Sequence, residues 1–122
     1  MKTTDWKDIQ NPLETETGEI IYELIGAAQN DGRKPNHSLA RIIIPPGKSS
    51  STHYHKISEE SYYILQGEGQ MRVNEKDFTV LPGQSCYLEA GDIHHIENRS
   101  NVDLEFLAVC TPPWVPEDSF EV

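Results

Sequence analysis

Basic residues and cysteines are scarce in this chain. Ten lysines and arginines stand against twenty aspartates and glutamates, which leaves a net charge of −10. A nucleic-acid binder needs a Lys/Arg surface to neutralise phosphates, so the balance argues against that class and against anionic membrane surfaces. The two cysteines, Cys86 and Cys110, form no CxxC pair and read as free buried thiols of a reducing compartment. No apolar run approaches the roughly 20 residues that span a bilayer. The N-terminus, MKTTDWKDIQ, has no apolar core and reads as no secretory signal, so a cytoplasmic location is the expectation. A phosphate-cradling glycine loop, a nucleophile–base triad and a helix-turn-helix pattern are all missing. Gly67-Glu68-Gly69 reads as a hairpin turn.

What is present is enough apolar material for one domain spanning 1–122, with 36% of its 122 residues hydrophobic. No window carries a sustained 3.6-residue apolar period, which leaves no room for a major helix. Short runs rich in Ile, Val, Tyr and Leu read as strands over 19–25, 38–44, 52–55, 60–66, 70–74, 78–81, 85–88, 94–98 and 102–110. Turn residues such as Asn30-Asp31-Gly32, Pro45-Pro46-Gly47 and Pro82-Gly83 separate them. That spacing indicates an all-β sandwich or barrel with its core at about 19–110. Alternation predicts Val102, Leu104, Phe106 and Ala108 on an inward face. Residues 1–18 read as an arm that Trp6 and Ile9 could pin down. The prolines of the tail, 111–118, lack donors, so it should cross the surface unpaired with Trp114 as an anchor.

His53 and His55 are two apart on an expected strand, so their side chains share a face. Glu60 opens the next strand and His94 begins a later one. A closed sheet can bring all four to one interior. Three imidazoles and a carboxylate suit a divalent Mn, Fe, Co, Ni, Cu or Zn ion. Without a thiolate, the set does not look like a structural zinc knot, and a first-row metal would keep positions open for water, O2 or substrate.

The stretch from Gly47 through His53, His55 and Glu60 to Gly67 resembles the first motif of the cupin superfamily at every spacing. The stretch from Gly83 through Gly91 and His94 to Asn98 resembles the second. The resemblance implies a jelly-roll-like cupin barrel with motifs at 47–67 and 83–98. It also implies that His53, His55, Glu60 and His94 are the metal ligands. Glu59 rivals Glu60, because the motif tolerates a shorter spacer, but Glu60 fits the run to Gly67. The neighbouring His95 should face outward, and His37 reads as a surface residue. Glu89 stands where the motif usually has proline; it is either a solvated turn residue or a second carboxylate at the mouth.

Four further residues are candidates for the chemistry. Tyr62 shares the face of Glu60 and either lines the cavity with its hydroxyl or packs in the core. Tyr62 and Glu89 are the proton-transfer candidates. Arg41 either faces inward, where it could pair a substrate carboxylate, or is an ordinary edge charge. Phe106 reads as cavity wall or core. The resemblance permits a metal-dependent enzyme of isomerase, lyase or dioxygenase type acting on a small polar molecule. It also permits a non-catalytic binding or sensing module, and fold alone does not choose. It suggests a homodimer.

Overall fold

A computed structural model describes residues 2–28 and 32–122. Asn30 and Asp31 of the expected Asn30-Asp31-Gly32 turn lie outside the described residues. The β-branched and aromatic runs become strands in chain order. The first are β1 (Leu13–Glu14), β2 (Ile20–Ile25), β3 (Ser38–Ile44), β4 (His53–Tyr54), β5 (Glu59–Gln66) and β6 (Gly69–Val73). They are followed by β7 (Lys76–Val80), β8 (Ser85–Leu88), β9 (His94–Glu97), β10 (Leu104–Thr111) and β11 (Phe120–Glu121). Helix among the described residues is confined to two 3₁₀ turns, Trp6–Asp8 and Pro116–Asp118. None is long and apolar enough to cross a membrane.

The strands form two antiparallel sheets, in the orders β1-β2-β3-β10-β5-β8 and β11-β4-β9-β6-β7. The sheets face each other over a shared core in the expected all-β, jelly-roll-like arrangement, but among the described residues they do not close into one hydrogen-bonded ring. In β3, Ser38, Ala40, Ile42 and Ile44 are buried, while Leu39, Arg41 and Ile43 occupy the other face. Ile42, Ile44, Tyr62, Ile64, Leu104 and Phe106 from the larger sheet meet Met71, Val80 and Ile96 from the smaller. Each large apolar side chain so buried contributes about 1.5–3 kcal/mol. Gly67 permits the turn from β5 to β6: its φ is +82°, and a Cβ there would lie 2.6 Å from the Asp103 carbonyl oxygen.

Val102 does not join the inward face; it is 52% exposed. The cause is Asn98, whose buried carboxamide donates to the carbonyls of Ile44 (2.8 Å) and Val102 (2.7 Å) and accepts from the Ser100 N–H (3.0 Å). That knot holds 98–102 as a tight loop, and the strand begins only at Leu104. The arm is pinned as expected at Trp6, which packs edge-on against Tyr22, with the Arg41 guanidinium 4.6 Å from its ring centre. The tail crosses without strand pairing through its prolines, but its end does pair: Phe120 and Glu121 add a strand to Tyr54 and His53.

Candidate metal centre

His53 and His94 face each other as register partners in β4 and β9 of the smaller sheet. His55 follows two residues after His53, just beyond β4. Glu60 comes from β5 in the opposite sheet, between Cys110 of β10 and Leu88 of β8. The four side chains therefore meet between the sheets, with one ligand atom of each within 4.8 Å of all the others. His55, Glu60 and His94 are buried and His53 is half-buried.

The orientation of the imidazoles is specific. Each Nδ1 lies against a backbone carbonyl: His53 on Ser51 (2.9 Å), His55 on Asp118 (3.0 Å) and His94 on Asp92 (2.9 Å). A carbonyl oxygen only accepts, so each Nδ1 carries the proton and leaves Nε2 with a free lone pair. The Nε2 atoms of His55 and His94 lie 3.4 and 3.3 Å from Glu60 Oε1. Glu60 Oε1 and His94 Nε2 are buried and have no hydrogen-bond partner. Orphaned buried acceptors are costly. A divalent ion among them satisfies all at once, so the donor set fits a transition metal.

The electrostatics agree. Burial would raise the Glu60 carboxyl, but contact with His55 and His94 outweighs it and holds the group well below the usual carboxylate range. Burial would lower His55, yet Glu60 beside it raises it. His53 is lowered to about 4 by burial and by His94. The outer Glu60 oxygen, Oε2, accepts from the Cys110 thiol at 3.2 Å. Burial and the Glu60 charge push that thiol well up, so it stays a donor.

A cavity of about 400 Å³ opens beside the cluster. Its walls include Ala40, Ile42, Tyr62, Ala108 and Trp114, together with Glu19. Tyr62 is 2% exposed, with its ring centre 6.2 Å from that of His94. Burial, then the negative Glu60, raises its hydroxyl well above the usual range, so in the metal-free site it is a neutral hydrogen-bond donor.

Three candidate residues fall elsewhere. Arg41 faces away from the cavity, 3.4 Å from Glu105, because alternation in β3 gives the inward positions to Ala40 and Ile42. Glu89 is an exposed turn residue whose N–H donates to Asp92 Oδ2, as the solvated reading had it. Phe106 is fully buried core, packed on Tyr62 at 4.6 Å between ring centres, and is not part of the cavity wall. Glu59 is exposed and accepts from the Tyr87 hydroxyl, so Glu60 is the carboxylate of the cluster. His95 lies on the opposite face from His94, and His37 is exposed.

Three residues that bear on the site were not singled out for it. Cys110 was read only as a buried thiol. Asp118 lies in the tail: its carboxylate accepts from the N–H groups of Lys56, Ile57 and Ser58, and its carbonyl holds His55. Glu19, 6% exposed, lines the cavity, and burial next to Glu60 raises its carboxyl to about 8. Its signal was alternation, since Glu19, Ile21 and Glu23 share one period-two face and all three line the cavity.

The Cupin domain model matches residues 40–110. An uncharacterised protein of Methanocaldococcus jannaschii is 40% identical over 108 residues, covering 88% of this chain and 85% of that protein. The oxalate-binding protein of Thermotoga maritima is 49% identical over 71 residues, covering 58% of this chain and 59% of that protein. Among solved structures, one described as a predicted oxalate decarboxylase of Thermotoga maritima superimposes with a TM-score of 0.74 at 32% identity. It covers 92% of this chain and 99% of that one.

Proposed function

The chain belongs to the cupin family, and from that premise we propose that it is a metal-dependent enzyme acting on a small polar organic molecule. In this reading the whole of 1–122 is one cupin domain. His53, His55, Glu60 and His94 hold one divalent transition metal, with Mn, Fe, Co, Ni, Cu and Zn all compatible with the donors. The observation that carries it is the convergence of four ligand atoms within 4.8 Å, with three imidazoles turned the same way by backbone carbonyls. A bound divalent ion would supply Lewis-acid stabilisation of negative charge on a substrate oxygen, as isomerases and lyases use, and a redox-active one would supply the electron transfer a dioxygenase needs. The chain's own contribution is a cavity of a size that suits a small ligand. Ala40, Ile42 and Ala108 make part of its wall apolar, and Tyr62, whose hydroxyl stays neutral, lines it as a hydrogen-bond donor.

Elemental analysis of the purified protein tests the premise. About one metal per chain is expected, with loss in His94→Ala; unchanged metal in that variant would overturn it. Screening the loaded protein against keto acids, diketones and sugars, while following product and O2, tests turnover. A second reading, a non-catalytic binding protein, is favoured by the relative named for binding oxalate. Tight binding without turnover under any first-row metal would establish it. The proposal includes a homodimer, which should sediment at twice the 13.8 kDa chain mass; a monomer would refute that part.

A further inference from the structure

Small side chains at fixed register positions make room for the cavity. Antiparallel pairing of β3 with β10 sets Cys110 opposite Ser38 and Ala108 opposite Ala40. All four residues are on the buried faces of their strands and line the cavity. At the next inward position the pair is Phe106 and Ile42, and the large residues of the core begin. The space thus lies where two successive inward pairs are small. It starts at the cluster, because Cys110 is the residue that donates to Glu60. A close-packed interior stays open only where side-chain volume is withheld.

The volume, about 400 Å³, falls in the range of about 300–1,000 Å³ that encloses drug-sized ligands. A molecule of a few heavy atoms held at the cluster would leave water standing against Ala40 and Ala108. The surroundings of those alanines are largely apolar. Tyr62 is the register neighbour of Ala108, and Ile42 follows Ala40 on the same face of β3. Ile21 and Leu13 continue the row of Ile42 across β2 and β1, and both line the cavity. The acidic wall residues leave this character intact. Glu121 is exposed, and the half-buried Glu23 accepts from the Ala28 N–H at 3.1 Å. Burial raises the Glu19 carboxyl to about 8, which keeps it mainly uncharged at neutral pH.

We propose that the ligand of this site has two parts, an oxygen-bearing head at the His/Glu cluster and an apolar body the size of a phenyl ring seated over Ala40 and Ala108. This rests on the metal-centre reading and narrows it to a substrate class, of which aryl-substituted keto acids and diketones are the simplest members. Ala40 and Ala108 determine specificity by being small: a larger side chain at either position would take up the volume the body needs.

Calorimetric titration of the metal-loaded protein with two matched pairs tests it, pyruvate with phenylpyruvate and acetylacetone with benzoylacetone. Each pair keeps one head and changes only the body. In at least one pair the aryl member should bind at least about tenfold more tightly, the factor that about 1.4 kcal/mol of apolar burial supplies. Ala108→Leu should shrink that preference to within about threefold by filling the space. Ala40→Val, a smaller change on the neighbouring strand, should shift it in the same direction. No aryl preference in either pair of the parent protein, including no binding of any of the four compounds at millimolar concentration, overturns the proposal. A preference that persists unchanged in both variants overturns it too, because the ring would then lie elsewhere. The parent comparison stands whether or not either variant folds. Metal content is measured on every sample. A chain that takes up no metal counts against the metal centre itself, whereas a loaded chain without an aryl preference counts only against this inference.

Discussion

The histidines of the cluster are aimed by the backbone. A carbonyl at each Nδ1 selects the tautomer and presents Nε2 to the centre, so the site is organised before a metal arrives. The carboxylate has its own support in Cys110, whose thiol holds Glu60 Oε2 while Oε1 faces the imidazoles. Removing that donor leaves a buried carboxylate oxygen unpaired. Cys110→Ala should therefore weaken metal affinity about tenfold, the lower end for loss of a group that orients a ligand. Cys110→Ser, which keeps a donor, should stay close to the parent. Competition titration with a chromophoric chelator reads both, and equal affinity in all three proteins would show that the thiol has no positioning role. Much of this scale was legible beforehand. Period two put His53 and His55 on one face, and motif spacing selected Glu60 over Glu59. Glu19 and Asp118 escaped because an isolated acidic residue in a chain with twenty looks like any solvated charge.

At the scale of elements, the tail matters most. The 3₁₀ turn Pro116–Asp118 brings the Asp118 carboxylate under the loop that follows β4. There it accepts from three consecutive N–H groups, and its carbonyl fixes His55. Those hydrogen bonds, against the opposing effect of burial, hold the Asp118 carboxyl below its usual range. A segment that reads as a surface strap is thus part of the support of the His/Glu cluster. Asp118→Ala should cost about 2 kcal/mol in denaturant unfolding, since charge-assisted bonds to backbone N–H groups are lost. It should also lower metal affinity, because His55 loses its anchored loop. A variant as stable as the parent would refute the role. Of the stretch 111–118 expected to stay unpaired, Thr111 pairs with Glu59 at the end of β10, and the proline-bearing remainder does not join a strand; Phe120 and Glu121 lie beyond that stretch and extend the smaller sheet.

For the molecule as a whole, pH acts through the cluster that joins the two sheets. Glu60 is depressed, so its stabilising contribution is present above its ordinary value of 4.5 and lost as pH falls below it. His55 is raised, so its contribution to the metal-free chain is complete below its ordinary value of 6.5 and lost as pH climbs through the raised one. Between 4.5 and 6.5 the pair therefore favours the metal-free fold. Metal requires neutral imidazoles. Its stabilising effect should appear as pH rises above about 6 and vanish below it. Melting temperatures with and without metal across pH 4–8 check this, and a metal-induced increase that persists at pH 4 would contradict a histidine-dominated centre. The sequence by itself determined the all-β class, the approximate strand positions and the identity of the four converging residues. The first two follow from local rules of alternation and turn chemistry, and the four residues from their resemblance to the cupin motifs. Only the tertiary structure decided that the sheets stay open, that Arg41 turns to Glu105 while Glu19 turns to the cavity, and that Asp118 reaches His55 from 63 residues away. Alternation groups Arg41 and Glu19 with the residues that share their faces, but which face meets the cavity, and which distant segments become neighbours, depends on packing that no local pattern contains.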